Sequence, residues 1–177
     1  FALKCDAIMK KSNEIKIMHR GLKGYSKSQI IELIQRHKNY NPRYLTIINQ
    51  LPETILSNLA NKQARRIDRM IKQVFKQFER VRQFTRTKLN DHGILYGDVH
   101  FTHRIEDWII NYFHERFPKC WICLYNHAKQ KCLVWNIHEN WKYQNSSIDD
   151  CVDALSQKRP KTPYFSDIKV ETEDLFN

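Results

Sequence analysis

Glycine and proline are scarce in this sequence, with four and five residues among 177. This scarcity excludes collagen-like chains and disordered chains rich in proline and glycine. The 41% of hydrophobic residues is enough for a folded core, and a chain of this length needs neither disulfides nor metal to hold one. No apolar run approaches the roughly 18 residues of a membrane span, so we expect no transmembrane helix and no membrane partner. The first residues also lack the charged-then-apolar layout of a signal peptide.

Acidic residues are rare in the first half of the chain. Residues 1–90 hold 20 basic and 6 acidic residues, whereas residues 91–177 hold 10 basic and 13 acidic ones. The formal net charge is +11. A basic half joined to a mildly acidic half favours one face that binds a polyanion, and nucleic acid is the commonest such partner. The alternative is a soluble protein with many surface lysines.

Cysteine occurs five times, which is an odd number, in a chain without a secretory signal. This favours reduced thiols over a disulfide scaffold. We therefore expect an intracellular location, either cytoplasmic or nuclear.

The hydrophobic pattern predicts an α+β fold, with a helical N-terminal part packed on a small β-β-α-β-β unit. Ser26 and Gln29 have the layout of a capping box that opens a helix. A longer helix is predicted from about Pro52 to Arg82, since apolar residues recur there at steps of three and four. We divide the chain into a basic helical region (1–81), the β-β-α-β-β unit (82–144) and an acidic peripheral tail (145–177).

Alternating residues predict strands after the long helix. A hairpin is predicted from residues 84–89 and 94–101 around a turn at 90–93. A helix over 105–117 follows, and residues 120–125 and 132–137 are predicted as two further strands.

The long helix carries the candidate nucleic-acid-binding residues. Basic residues three and four apart share one side of a helix, and few acids separate them here. Such a side can contact phosphates and release counterions, although a solvated helix face is the alternative. The predicted contacts are Lys62, Arg65, Arg66, Arg69, Lys72, Lys76 and Arg80, with Arg82 and Arg86 extending the set towards the first strand.

Aromatic residues in the second half are the next candidates, because exposed aromatic rings can stack on the bases of a single strand. We expect Trp108 and Trp121 to pack in the core. Trp141 and Tyr143, placed beyond the last predicted strand, are freer to contact a ligand.

A zinc site is a further possibility, although we expect no cofactor. Four residues within a short stretch are of the types that bind Zn²⁺ tetrahedrally: Cys120, Cys123, His127 and Cys132. The spacing argues against it, because residues three apart on a strand point to opposite faces. Buried thiols acting as small hydrophobic groups are the alternative.

Histidines near carboxylates could serve a metal-dependent nuclease. Asp98, His100 and His103 lie at the predicted junction of strand and helix and are the candidate catalytic residues. His114 is about three helical turns further on, roughly 16 Å along the axis and too far to share a metal.

Residues 71–141 resemble a bacterial family labelled "probable DNA metabolism protein", whose members occur beside uracil-DNA-glycosylase-like and radical-SAM proteins. The family's phrases G-F-x-R-F, Y-A-x-I, H-F-x-x-R-F and W-x-I correspond here to residues 83–86, 96–99, 112–117 and 121–122. The family's E-x-H-R phrase corresponds to Gln77-Phe78-Glu79-Arg80, which lacks the histidine. The resemblance implies a role near DNA and supplies no catalytic chemistry.

We therefore expect a nucleic-acid-binding module, with DNA favoured over RNA by the resemblance, and an enzyme less than a binding protein. One alternative is an assembly subunit that docks an acidic protein, for which the apolar stretch from Tyr44 to Leu59 is the candidate surface. The other alternative is the metal-dependent nuclease.

Overall fold

The computed structural model describes residues 22–136, 139–161 and 165. The chain divides into two compact units, Phe1–Phe75 and Lys76–Asn177. The described helices are α1 (Lys27–Gln35), α2 (Arg43–Gln50), α3 (Glu53–Ser57), α4 (Lys62–Phe84), α5 (Glu106–Arg116) and α6 (Ile148–Ser156). The described strands are β1 (Thr87–Leu89), β2 (Ile94–Val99), β3 (Trp121–Asn126), β4 (Lys131–Asn136) and β5 (Glu139–Gln144). The predicted α+β class is confirmed.

Helix α1 begins as its sequence predicts. The Ser26 hydroxyl accepts a hydrogen bond from the Gln29 amide, and the Gln29 side chain accepts one from the Ser26 amide at 2.8 Å. This capping box satisfies two backbone donors at the start of the helix. Three residues spaced three and one apart are buried on its inner side: Ile30, Leu33 and Ile34.

The single helix predicted from Pro52 to Arg82 is two helices. Helix α3 ends at Ser57, and Leu59 adopts a positive φ of 52°, which a helix interior does not allow. Asn61 then caps α4, because its side-chain oxygen accepts a hydrogen bond from the Ala64 amide at 2.7 Å. The helix is interrupted by the left-handed backbone conformation at Leu59, which the spacing of apolar residues does not predict.

Helix α4 spans 23 residues and crosses the boundary between the two units. Its apolar side is buried along the whole length, at Ala64, Ile67, Met70, Ile71, Val74, Phe78 and Val81. The helix ends at Phe84, so the predicted first strand begins three residues later, at Thr87.

The second unit contains a five-stranded mixed sheet in the order β1-β2-β3-β4-β5. Neighbouring strands are antiparallel except β2 and β3, which are parallel and are joined through α5. The predicted turn before β2 is confirmed: Gly93 has φ 71°, and the Asn90 side chain accepts hydrogen bonds from the His92 and Ile94 amides. The pattern missed β5. Trp141 and Tyr143 lie within this strand, whereas we expected them beyond the last one.

Helices cover both faces of the sheet. Trp135 of β4 lies against His114 of α5, with ring centroids 4.5 Å apart. Cys132, which alternates to the other face of β4, packs with Cys151 of α6. We expected residues from 145 onwards to be peripheral, whereas α6 contributes Cys151 and Leu155 to the core. Residues 1–21 and 137–138, and the tail beyond 161 except Phe165, lie outside the described residues. In the part described, no helix is both long and apolar enough to cross a membrane.

Candidate nucleic-acid interface and buried thiol cluster

One side of α4 forms a basic surface, which we call the basic ridge. Its seven members are all exposed and, at 100° per residue, fall within one third of the helix circumference. Helix α4 holds eight basic residues and two acidic ones. The ridge consists of Lys62, Arg65, Arg66, Arg69, Lys72, Lys76 and Arg80.

Few acidic groups neutralise the basic ridge. Lys72 pairs with Asp68 at 2.9 Å, and the Arg66 guanidinium lies 5.8 Å from the centre of the Tyr44 ring. Within the described part of the chain, six ridge residues have no ion pair: Lys62, Arg65, Arg66, Arg69, Lys76 and Arg80. An unneutralised row of cations attracts a polyanion more strongly than a self-paired one.

Arg82 does not belong to the ridge. It lies two residues after Arg80, about 200° around the helix axis, and is half-buried. Its guanidinium pairs with Glu79 at 2.9 Å and lies 5.8 Å from the centre of the Tyr112 ring. Arg86 is exposed but follows the end of the helix.

Two large apolar side chains are exposed among the described residues, Phe84 at 70% and Trp141 at 38%. Phe84 is the last residue of α4, the helix that carries the ridge. Trp108 is buried, as predicted, and Trp121 is half-buried against the core of the second unit. The candidate docking stretch from Tyr44 to Leu59 contributes no exposed large apolar side chain.

The carboxyl ends of the parallel strands β2 and β3 carry polar residues. Asp98 and His127 form an exposed pair, with the His127 Nε2 3.0 Å from the Asp98 carboxylate. His100 is also exposed, whereas His103 is buried. Within the described residues, the ligand atoms of Asp98, His100 and His103 do not form a group that could hold one metal. The three candidate catalytic residues are therefore not brought together as one metal site in the described structure.

Two amide side chains hold the loop after β2. Asn126 is completely buried, and its amide bonds to both the N–H and the C=O of Phe101, at 3.3 and 3.0 Å. The Gln77 side-chain oxygen accepts hydrogen bonds from the amides of Thr102 and His103, at 3.0 and 2.8 Å. Backbone groups of this loop are thus satisfied by side chains.

A buried carboxylate lies beside this loop. Glu106 is 5% exposed; it accepts hydrogen bonds from the Lys129 ammonium and from the Tyr143 hydroxyl, the latter at 2.9 Å. Burial and the nearby Glu106 charge raise the pKa of Tyr143. The sequence pattern does not indicate this cluster, because its members come from a helix, a turn and the unpredicted strand β5. Tyr143 is engaged here and is less free for a ligand than we expected.

Three cysteines meet in the core of the second unit. The sulfur atoms of Cys123 on β3, Cys132 on β4 and Cys151 on α6 all lie within 4.8 Å of one another. Of the predicted zinc ligands, Cys120 and His127 are not in this group. His127 is four residues beyond Cys123, about 13 Å along a strand, and Cys120 precedes the strand with the opposite orientation. Two of the four predicted ligands, Cys123 and Cys132, therefore lie together with Cys151, and the other two lie elsewhere.

The three thiols influence one another's ionisation. Hydrogen bonds with Cys123 and Cys132 lower the pKa of Cys151, whereas hydrogen bonds with Cys132 and Cys151, together with burial, raise the pKa of Cys123. The fourth described cysteine, Cys120, is separate, and burial raises its pKa.

The described residues define an α+β protein with an exposed basic helix and a mixed five-stranded sheet. The chain belongs to the family described as "domain of unknown function DUF4130", which matches residues 35–175. The match is wider than the resemblance over 71–141 and includes α2, α3 and all of α4. No curated protein and no solved structure matches the chain.

Proposed function

We propose that this protein binds nucleic acid, with DNA as the favoured form, through the basic ridge of α4. The observation that carries the proposal is the row of seven exposed cations, six of them without an ion pair among the described residues. The preference for DNA and a role in DNA metabolism rest on the family resemblance over 71–141. The four described cysteines are free thiols, which is compatible with the intracellular location that this function requires.

The spacing of the ridge suits a phosphate backbone. Steps of three and four residues place successive cations about 5 to 6 Å apart along the axis. From Arg65 to Arg80 the ridge is about 22 Å long. A duplex that contacts four or five of these cations would lose affinity with a slope of log K against log salt of about −4.

The test compares a ridge variant with a charge-matched control. In the ridge variant, Arg65, Arg69 and Lys76 are replaced by Glu; we leave Lys72 unchanged because a glutamate there would face the buried Asp68. In the control, three exposed lysines outside α4 are replaced by Glu, namely Lys131, Lys158 and Lys161. Both variants change the net charge by the same amount.

Binding is measured by fluorescence anisotropy with duplex DNA, single-stranded DNA and RNA at several salt concentrations. We expect the ridge variant to lose more than tenfold in affinity and about three units of salt slope, since each phosphate contact contributes about one unit. The control should keep most of the affinity and slope. Equal losses in both variants would reduce the effect to net charge, and normal binding by the ridge variant would make the ridge a solvated face.

The same experiment separates the alternatives. Weak binding to all three nucleic acids, with an acidic protein co-purifying instead, would favour the assembly subunit. Cleavage of the probe in the presence of Mg²⁺, Mn²⁺ or Zn²⁺ would favour the nuclease and would require ligands other than the dispersed Asp98, His100 and His103.

A further inference from the structure

We propose that Cys123, Cys132 and Cys151 form a three-thiolate Zn²⁺ site in the core of the second unit. The three residues come from two strands and a helix that are distant in sequence, and their sulfur atoms lie within 4.8 Å of one another. Zn²⁺ bound at about 2.3 Å from each sulfur requires sulfur atoms roughly 3.8 Å apart. Side-chain rotations that move the sulfur atoms by about 1 Å are enough to reach that geometry.

Oxygen atoms beside the thiols provide a second, independent indication. The carbonyl oxygens of Ser146 and Ser147 lie 3.5 Å from the Cys132 sulfur, and the Gln144 side-chain oxygen lies 3.6 Å from the Cys151 sulfur. The Ser146 hydroxyl is also buried and lies beside the Cys132 and Cys151 thiols. These oxygen atoms accept hydrogen bonds from the thiols, and once the thiols lose their protons one oxygen can serve as the fourth metal ligand. We assign that position to Gln144, whose side chain can rotate.

Charge and ligand type select Zn²⁺ among thiol-binding ions. Three thiolates with Zn²⁺ leave a net charge of one negative unit, whereas the same thiolates with Cu(I) leave two, which is costly in an apolar core. An oxygen ligand suits the borderline Zn²⁺ better than the soft Cu(I). On binding, up to three S–H bonds break, three Zn–S bonds form, and the protons pass to solvent.

The sequence supplies an unusually direct control. Cys120 lies outside the cluster, and Cys5 lies outside the described residues. The double variant with Cys5→Ser and Cys120→Ser therefore retains only the three proposed ligands. The matched disrupting variant is Cys151→Ser, and circular dichroism establishes that each variant is folded.

The reduced full chain is titrated with Co²⁺ under anaerobic conditions and then with Zn²⁺. We expect one Co²⁺ per chain with thiolate-to-metal charge-transfer absorption, its displacement by Zn²⁺, and proton release. The double variant should behave like the wild type, and Cys151→Ser should weaken binding by at least about 100-fold, since even supporting residues outside the ligand set contribute 10- to 100-fold. If no charge transfer appears, if it persists in Cys151→Ser, or if it is lost in the double variant, the site is not this cluster.

X-ray absorption at the zinc edge keeps the proposal testable if Cys151→Ser does not fold. It is measured on the Zn²⁺-loaded double variant and counts the sulfur ligands directly. Three sulfurs with one oxygen or nitrogen would support the site, and fewer than three would overturn it. None of these readouts involves nucleic acid, so the outcome is independent of the proposed function.

Discussion

Replacing Asn126, the last residue of β3, with alanine should destabilise the second unit far more than replacing an exposed asparagine of the same sheet. Asn126 is completely buried and makes three hydrogen bonds, two to the backbone of the buried Phe101 and one to the Ala128 amide at 3.1 Å. Ala128 is exposed and its N–H can be hydrated. The N–H and C=O of Phe101 have no such access to water, and each buried orphan group costs about 1–3 kcal/mol. The expected loss is therefore about 4 kcal/mol.

The measurement is urea unfolding followed by both circular dichroism and tryptophan fluorescence, whose transitions should coincide if unfolding is two-state. Asn140→Ala is the control, because Asn140 is exposed on β5 and its replacement should cost no more than about 0.5 kcal/mol. If Asn126→Ala costs no more than the control, the buried amide does not hold the loop as described.

The variant Asn126→Asp separates the acceptor from the donor. A carboxylate keeps the oxygen that accepts from the Phe101 and Ala128 amides and loses the donor to the Phe101 carbonyl. Burial raises the pKa of such a carboxyl group above its unfolded value of about 3.9, so its protonated form is the more stable one in the fold. The deficit relative to the wild type should shrink as pH falls and the group becomes a donor again. A deficit that does not change with pH would contradict this assignment.

Further predictions concern an alkaline titration, a base contact and a turn. Tyr143→Phe removes a hydrogen bond to the buried Glu106 and should cost about 1.5–3 kcal/mol at neutral pH. The pKa of Tyr143 is raised in the folded protein. The extra stability of the wild type is therefore complete below the unfolded pKa of about 10 and falls by about 1.4 kcal/mol per pH unit above it. A difference in the free energy of unfolding that stays constant across pH, measured by urea unfolding, would refute this. Phe84→Ala should weaken single-stranded DNA binding by about 1–3 kcal/mol with little effect on duplex; equal losses in anisotropy would argue against stacking. Gly93→Ala should cost more stability than Gly24→Ala, since both have positive φ but only Gly93 has a side chain where the new methyl would lie; equal unfolding midpoints would contradict this.

Patterns within single elements predicted much of the fold. The capping box at Ser26 and the apolar periodicity of α4 each act over a few residues, and both are confirmed. The break at Leu59 was missed because a left-handed residue other than glycine or asparagine has no strong sequence signal. Strand β5 was missed because its residues are mostly polar and exposed, although Trp141 and Tyr143 alternate as a strand requires.

The candidate site was less predictable, because its geometry depends on pairing between distant segments. Cys151 meets Cys123 and Cys132 only because α6 packs on the sheet. The acidic composition of the segment after residue 145 did not indicate that it contains a helix packed on the core. A signal was nevertheless present: Ser147 caps α6 through the Asp150 amide, and Ile148, Cys151 and Leu155 follow at helical spacing. The basic ridge was predictable because it needs only one helix, and Arg82 was misplaced because it lies on the other side of that helix.

The parallel pairing of β2 with β3 has a consequence for how the protein folds. The ladders β1–β2 and β3–β4 each close over a short turn, so both can form locally. The register that joins Ile94 to Trp121 requires the whole of α5 to be traversed first. Closing this loop lowers the chain entropy before the contact between the two strands stabilises the fold, and folding is slower as a result. We expect Ile122→Val, opposite Leu95 in that pairing, to accelerate unfolding far more than it slows folding, which stopped-flow kinetics in urea can measure.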